Sequence, residues 1–279
     1  MSVLAPRSLS AVITDATRLG TVLGIWAHPD DEAFLSAGLM AAARDAGNRV
    51  VCVTATLGEH GTDDPVGWPP HRLGAVRERE LRASLAALDV TEHHQLGLTD
   101  GTLSAQPGEA ITRHLAAIIT TVEPDTIVTF GPDGMTGHDD HRTVSAWSTA
   151  AHAAAAPGAR LLYATTTEEF VRAWEPAREQ FNIFLADGLP LRTRASELAV
   201  SLRLGPAAVD RKIVALRAQA SQTTPLFAAL GEEQVRQWWS TETFVDAARG
   251  STPTRSGSTP SSYPQRDSNP CYRRERATS

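Results

Sequence analysis

Short apolar runs alternate along the chain with longer segments of helical composition. Runs rich in aliphatic and β-branched residues predict strands, which are residues 21–27, 49–56, 93–97, 125–130 and 160–166. The predicted helices between them are residues 32–46, 74–88, 108–122 and 139–155. Because short apolar strands that alternate with helices form a buried parallel sheet, we expect a Rossmann-like α/β fold with helices on both faces.

The part of the chain after residue 180 has a less regular pattern. It predicts strands over residues 181–185 and 197–203 and a helix over residues 207–220. A further short helix is predicted just before Trp238 and Trp239. We expect these elements to complete the same domain.

A change in composition marks the end of that domain. Residues 251–279 are rich in Ser, Pro, Thr and Arg and contain almost no aliphatic side chains. Such a segment cannot bury enough apolar surface to offset its loss of conformational entropy. The sequence therefore predicts a single catalytic domain over residues 1–250, followed by a disordered tail without a function.

Composition narrows the class of protein. Apolar residues make up 42% and charged residues 21% of the 279 residues, as is usual for globular proteins. The net charge of −6 gives no reason to expect a nucleic-acid partner. We expect no membrane span, because no apolar run reaches about 18 residues, and no signal peptide. The two cysteines, Cys52 and Cys271, form no disulfide framework, so we predict a reducing, cytoplasmic location.

Chemically active side chains follow the first predicted strand. His28 and Asp31 lie three residues apart in the run His-Pro-Asp-Asp-Glu, so a tight turn can direct both at one point. An imidazole and a carboxylate suit zinc or a similar divalent metal. Asp30 would then be free to act on a water molecule. Capping of the next helix is the competing interpretation; it explains Asp31 and Glu32 but not His28.

A second cluster follows the fourth predicted strand, where His138 and His141 flank two aspartates. Neighbouring parallel strands bring their carboxyl-terminal loops together at one edge of the sheet. The two clusters would then give two histidines and one aspartate to one metal and leave a coordination position open. That is the ligand count of a catalytic zinc site rather than a structural one. The two clusters together predict metal-dependent hydrolysis.

These motifs resemble those of a known family. The run from Ala27 to Glu32 resembles the AHPDDE signature of the zinc-dependent N-deacetylases related to the glycosylphosphatidylinositol de-N-acetylase, among them the mycothiol and bacillithiol pathway deacetylases. The run from Gly137 to His141 resembles the second signature of that family, GHxDH. Weaker matches to other motifs of that family are residues 56–61, 77–81, 98–101 and 215–222. In the last of these, Gln219 replaces a histidine of the family motif.

The resemblance implies specific catalytic roles. His28, Asp31 and His141 match the metal ligands, and Asp30 matches the general base that deprotonates the attacking water at the zinc. Zinc lowers the pKa of such a water to about 7, so that a carboxylate can complete the transfer. His138 matches the group that, as an imidazolium, stabilises the oxyanion or protonates the departing amine.

Other positions match supporting and substrate-contact roles. Asp140 matches a residue that orients a histidine. Glu59, Arg77 and Asp100 match polar substrate-contact positions in the sugar deacetylases, although surface ion pairs and capping also explain them. Thr136 departs from the pattern, since the mycothiol-pathway enzyme has a tyrosine at this position. The shorter threonine hydroxyl cannot reach as far, so another donor assists or the substrate differs.

We therefore predict a zinc-dependent hydrolase, with Fe²⁺ as the alternative metal in the cell, that removes an N-acetyl or other N-acyl group from a small amino-sugar conjugate. Two alternatives remain open: an amidase on thiol or sugar conjugates with the same metal site, and a non-catalytic, metal-stabilised sugar-binding protein. A dinucleotide-binding fold of the usual kind is excluded, because no GxGxxG loop follows the first strand. Homo-oligomerisation is left open.

Overall fold

The computed structural model describes residues 12–175 and 184–248. Seven strands over these residues form one sheet: β1 (Val22–Trp26), β2 (Val50–Thr56), β3 (Glu92–Leu98), β4 (Thr126–Phe130), β5 (Arg160–Ala164), β6 (Val200–Arg203) and β7 (Thr241–Asp246). Their order is β3-β2-β1-β4-β5-β7-β6. β1 to β5 pair in parallel, and β7 is antiparallel to both β5 and β6. The predicted mostly parallel sheet is confirmed.

Helices join the strands and cover the sheet. Those in the described ranges are α1 (Asp31–Asp45), α2 (Pro70–Ala87), α3 (Gly108–Val122), α4 (Asp139–Ala155), α5 (Glu168–Trp174), α6 (Pro206–Ala218), α7 (Ala220–Leu230) and α8 (Glu232–Trp238). α1 packs on α6, α6 on α2, and α3 on α4. Right-handed crossovers place α1 and α2 on one face and α3 and α4 on the other. Within the described ranges, no helix is long and apolar enough to cross a membrane.

The central strands explain why the sequence forms this fold. Every residue of β1 and β2 is buried, as expected for strands covered on both faces. Trp26 at the end of β1 packs edge-on against Phe130 at the end of β4, with ring centroids 5.0 Å apart. Cys52 on β2 is fully buried in the hydrophobic core.

The structure differs from the prediction after residue 165. β7 and α5 were not predicted. The inward-facing residues of β7 are Glu242 and Phe244, and a buried acid obscures the apolar alternation of a strand. Leu185 is not in a strand, and residues 181–183 of that predicted element lie outside the described residues, as does the predicted tail.

The helix predicted over residues 207–220 ends earlier, at Ala218. It is followed by a second helix, α7, that contains Pro225. A proline inside a helical pattern argues for a break, because it lacks the N–H of a helical hydrogen bond. The sequence pattern therefore gave no prediction of α7.

The parallel strands place four loops at one edge of the sheet. The loops after β1, β2, β3 and β4 all emerge at the carboxyl ends of adjacent strands. They carry the two histidine and aspartate clusters, together with Glu59 and Asp100. This edge is where the sequence analysis predicts the functional site.

Candidate active site

The first cluster is built by the turn between β1 and α1. Asp31 is the first residue of α1, and one of its carboxylate oxygens, Oδ2, accepts a 2.8 Å hydrogen bond from the backbone N–H of His28. This bond closes the turn and brings the two side chains together, with 3.7 Å between His28 Nδ1 and Asp31 Oδ2. Both side chains are largely buried.

The second cluster approaches from the first turn of α4. The His141 ring stacks on Phe130 of β4 with a centroid separation of 4.1 Å and an interplanar angle of 11°. His141 Nε2 lies 3.2 Å from His28 Nδ1 and 3.5 Å from Asp31 Oδ1. The structure therefore brings together the three side chains predicted as metal ligands.

The remaining ring nitrogens fix the orientation of both imidazoles. His28 Nε2 faces two carboxylates, Asp100 at 3.0 Å and Asp140 at 3.2 Å. His141 Nδ1 donates a 3.0 Å hydrogen bond to the carbonyl oxygen of Gly134. Since each outer nitrogen faces acceptors, it is the natural place for the proton of a neutral ring, and the inner nitrogens then present lone pairs to each other.

The spacing of these atoms fits a divalent metal. Bonds of about 2.0–2.1 Å in a tetrahedron place ligand atoms about 3.3 Å apart. His28 Nδ1 and His141 Nε2 are 3.2 Å apart, close to that value, and each nitrogen has a different oxygen of the Asp31 carboxylate nearby, Oδ1 at 3.5 Å from His141 and Oδ2 at 3.7 Å from His28. Nitrogen and carboxylate donors also suit zinc and iron.

Two other triplets of metal-binding side chains overlap this one. His28, His138 and His141 have ligand atoms within 4.8 Å of one another, as do His28, Asp100 and Asp140. The backbone N–H of Asp140 donates to His138 Nδ1, and the loop after β3 holds Asp140. These two triplets are the alternative ligand sets that a test must separate from the one with Asp31.

Asp30 lies beside the candidate ligands in an unusual backbone conformation. Its φ is 101°, in the left-handed region that favours glycine. Arg77 donates to Asp30 Oδ2 at 3.2 Å and also to the carbonyl oxygens of Pro29 and Gly58. Burial raises the pKa of Asp30 to about 8, although the positive charge of Arg77 opposes this shift. This pKa lies near neutral pH, where a general base works best.

The charges around the two histidines differ. Burial alone would lower the pKa of His28, but the surrounding carboxylates, Asp100 foremost, outweigh burial and raise it well above its usual value. Burial and the neighbouring charge of His28 hold the pKa of His141 well below its usual value. The cluster therefore attracts one positive charge at His28, and a divalent cation would supply that charge instead.

His138 forms the N-cap of α4. Its Nδ1 accepts a 3.2 Å hydrogen bond from the backbone N–H of Asp140, so the proton of the neutral ring belongs on Nε2. The ring centroid lies 5.0 Å from those of both His28 and His141. Burial and His28 lower the pKa of His138. The ring is therefore a neutral Nε2–H donor beside the candidate ligands before any substrate binds.

The three predicted substrate-contact residues lie in different settings. Asp100 faces His28 and accepts a 3.0 Å hydrogen bond from the backbone N–H of His60. Glu59 Oε1 accepts from the backbone N–H of Asp100 at 3.0 Å, while its buried Oε2 has no partner within the described ranges. Arg77 is only 1% exposed and donates a hydrogen bond to Asp30. Its geometry therefore favours a role in holding Asp30 over direct contact with a substrate.

The sequence analysis gave no role in the site to three polar residues that lie behind it, namely Glu32, Ser84 and Gln219. All three are fully buried, and the carboxylate of Glu32 accepts hydrogen bonds from the other two. The one sequence signal of this arrangement was Glu32 itself, because a third acid after Asp30 and Asp31 is more than helix capping needs. Its partners lie 52 and 187 residues away, so no local pattern could identify them.

A cavity of about 590 Å³ lies at the same edge of the sheet. Phe34, Met135, Phe170 and Trp239 contribute to its wall, together with threonines of the loop after β5. Phe34 is one turn beyond Asp31 on α1. Met135 precedes Thr136, and Thr136 Oγ1 lies 3.4 Å from His141 Nδ1. The candidate ligands are not among the lining residues of the cavity, but Phe34 and Met135 link it to the elements that carry them, and its wall is partly aromatic.

A Rossmann-like domain with a cluster of histidines and aspartates that could hold a metal ion at the carboxyl edge of its sheet defines the general class of this protein. The model of the GlcNAc-PI de-N-acetylase family (PIG-L) matches residues 23–152. The chain is also 35% identical over 233 residues to the 1D-myo-inositol 2-acetamido-2-deoxy-alpha-D-glucopyranoside deacetylase of Actinosynnema mirum, covering 73% of this chain and 81% of that protein. The chain belongs to the GlcNAc-PI de-N-acetylase family.

Solved structures confirm the fold. A triple mutant of the deacetylase of the teicoplanin biosynthetic pathway superposes with a TM-score of 0.59 and 18% identity, covering 81% of this chain and 97% of that one. The 4-carboxy-2-hydroxymuconate hydratase from Pseudomonas putida has a TM-score of 0.56 and 13% identity, covering 87% of this chain and all of that one. Since a hydratase shares the fold, the fold alone does not define the reaction.

Proposed function

We propose that this protein is a metal-dependent hydrolase that removes an N-acetyl group from a small amino-sugar conjugate. The observation that carries the proposal is the close approach of the side chains of His28, Asp31 and His141, with Asp30 beside them. Membership of the GlcNAc-PI de-N-acetylase family and the deacetylase named for Actinosynnema mirum support it.

His28 Nδ1, His141 Nε2 and a carboxylate oxygen of Asp31 would hold the metal. We favour Zn²⁺, with Fe²⁺ as the alternative, because both accept nitrogen and carboxylate donors. When bound, such a cation supplies Lewis-acid chemistry: it polarises an amide carbonyl and makes water a stronger acid. Asp140 and Asp100 hold the outer nitrogen of His28 and so keep its ring in the binding orientation.

Asp30 and His138, beside the metal site, would have different roles in the reaction. Asp30 would take a proton from the attacking water as its oxygen bonds to the amide carbon. His138 would donate a hydrogen bond from Nε2–H to the developing oxyanion. Asp30 would then give its proton to the amide nitrogen as the carbon–nitrogen bond breaks, so the products are acetic acid and an amine, which in neutral water are acetate and an ammonium ion.

The substrate we expect is an N-acetylglucosamine joined to a polar group, as in the glucosaminyl-inositol named for the relative from Actinosynnema mirum. Glu59 and Asp100 offer carboxylate oxygens that suit sugar hydroxyls, and Glu59 Oε2 has no partner among the residues described. Thr136 stands where the mycothiol-pathway enzyme has a tyrosine. The group attached to the sugar therefore has to be found by assay.

The first experiment combines metal content with acetate release. Purified protein should contain about one zinc or iron per chain, measured by mass spectrometry, and should release acetate from N-acetylglucosaminyl-inositol. The variants His28→Ala, Asp31→Ala and His141→Ala should lose metal and activity together. Asp30→Asn should keep the metal and lower kcat by about 10²–10⁴-fold, the usual contribution of a general base.

Controls separate this assignment from its alternatives. His94 lies exposed on β3, away from the clusters, so His94→Ala should change neither metal content nor activity. If His138→Ala loses the metal while Asp31→Ala retains it, the ligand set is wrong. If metal-loaded protein binds the sugar but releases no acetate, it is a binding protein. Release of amine only from larger amides would identify an amidase.

A further inference from the structure

Glu32 lies next to a candidate metal ligand, and no step of the proposed reaction uses it. We propose that Glu32 is a positioning residue: its carboxylate, anchored by Ser84 and Gln219, fixes the main chain of Asp30 and thereby directs the base. The inference rests on the proposed function only for the role of Asp30 as that base. It assigns a purpose to the three buried polar residues to which the sequence analysis gave no role in the site.

The burial of Glu32 requires an explanation. An acid in the first turn of a helix is favourable at the surface, where it interacts with the helix dipole. The side chain of Glu32 is instead fully buried, and burying a carboxylate is costly unless hydrogen bonds satisfy it. Glu32 Oε1 accepts from Ser84 Oγ at 2.8 Å and from Gln219 Nε2 at 2.9 Å.

The second oxygen of Glu32 is directed at the proposed base. Glu32 Oε2 accepts a 3.0 Å hydrogen bond from the backbone N–H of Asp30. The φ of 101° at Asp30 is strained for a non-glycine residue and persists only where the surroundings enforce it. Glu32 holds the N–H of this residue, and Arg77 holds its side chain and the preceding carbonyl. Asp30 is therefore fixed from two sides.

The anchors of Glu32 come from distant parts of the fold. Ser84 lies on α2, and Gln219 lies at the junction of α6 and α7. Gln219 is fully buried, and its Oε1 has no partner within the described ranges. Leaving the buried Oε1 of Gln219 without a partner costs free energy. The hydrogen bond that Nε2 of the same amide donates to Glu32 therefore explains why a glutamine occupies this position. Three helices thus fix the direction of a single carboxylate.

The first test does not depend on catalysis. Glu32→Gln keeps the shape of the side chain but places an amide N–H against one of the three donors. The backbone N–H of Asp30 should then exchange with deuterium about tenfold faster in the folded, metal-loaded protein, since one hydrogen bond is lost. The matched control is Glu80→Gln, because Glu80 on α2 accepts from Ser221 in a similar way without contacting Asp30.

The second test asks whether Glu32 acts through Asp30. Glu32→Gln should lower kcat for acetate release about 10–100-fold, the usual effect of removing such a supporting group, while KM and metal content change less than about twofold. In the Asp30→Asn background the same substitution should have almost no further effect on kcat. A merely structural role would lower the residual kcat equally in both backgrounds.

The outcomes separate this inference from the proposed function. If no conjugate releases acetate although Asp30 exchanges faster in Glu32→Gln, the proposed function fails and the positioning contact stands. Unchanged exchange at Asp30, or equal losses of kcat in both backgrounds, would overturn the inference. If Glu32→Gln does not fold, Ser84→Ala removes one anchor and should give a smaller change in the same direction in both measurements.

Discussion

Asp140 shows how one buried residue supports the candidate site. It is 1% exposed, and its Oδ2 faces His28 Nε2 at 3.2 Å while accepting a 2.8 Å hydrogen bond from the backbone N–H of Gly101. Its Oδ1 accepts from the backbone N–H of Leu103. The carboxylate therefore holds the ring of His28 against the loop that carries Asp100. Asp140 is the acceptor in each of these contacts. Only an ionised carboxylate can accept hydrogen bonds at both of its oxygens in this way.

We predict that Asp140→Asn weakens metal binding about 10–100-fold. The amide nitrogen of asparagine would face a backbone N–H or force a change in the His28 ring, so the ligand loses its fixed orientation. Competition with a chelator measures the change in Kd. Asp139→Asn is the matched control, because Asp139 is exposed in the same turn of α4 and should leave Kd unchanged. Equal affinity in both variants would contradict the role of Asp140.

At the residue scale, local motifs predicted which side chains would meet but not how they are held. His28, Asp31 and His141 follow the ends of adjacent strands, and that placement follows from topology. The conformation of Asp30 and the buried position of Arg77 depend on contacts between segments far apart in the chain. Spacing within a motif contains no information about such contacts.

At the scale of elements, a buried ion pair joins α1 to α6 and to β7, the strand next to the β6 edge of the sheet. Lys212 of α6, the single lysine of the chain, donates to Glu242 Oε1 on β7 at 2.7 Å, and both side chains are 1% exposed. Glu242 accepts from the backbone N–H groups of Gly38 and Leu39 in the middle of α1. Lys212 also donates to the carbonyl oxygen of Phe34. The pair joins three elements, and α1 begins with the candidate ligand.

We predict that Lys212→Met lowers the free energy of unfolding by about 3–5 kcal/mol. The substitution keeps most of the volume of the side chain but leaves the carboxylate of Glu242 buried without its cation. Urea denaturation measures the change. Arg82→Met provides the comparison, since the Arg82–Glu78 pair is exposed on α2 and should contribute less than about 1 kcal/mol. A loss for Lys212→Met no larger than that for Arg82→Met would contradict the prediction.

The elements of the amino-terminal half could be predicted well because their patterns are regular. Residues 108–122 and 139–155 are helices as predicted, and β1 to β4 differ from the predicted strands by at most one residue at either end. The later elements were predicted less well because the buried Glu242 and the internal Pro225 break the usual patterns. Both are tolerated only because of contacts in the assembled fold.

At the scale of the whole molecule, the sheet extends beyond the parallel core and builds a second wall for the site. β7 pairs antiparallel with β5 and begins at the carboxyl end of that strand. It follows α8, so Trp239 lies at the same edge as the two clusters and packs on Phe34 of α1 with centroids 5.3 Å apart. The cavity lined by Phe34, Met135 and Trp239 is thus formed by residues from both halves of the chain.

This arrangement predicts how the protein selects the group attached to the sugar. Trp239 contributes an aromatic surface to the cavity, and the loss of one aromatic contact of about 1.4 kcal/mol changes affinity about tenfold. Trp239→Ala should therefore raise KM about tenfold for an aryl N-acetylglucosaminide. KM for N-acetylglucosamine itself, which lacks that group, should change less than about twofold. Acetate release measured with both compounds provides the comparison within one variant, and melting curves check its fold. Equal increases in KM for both compounds would place the attached group outside this cavity.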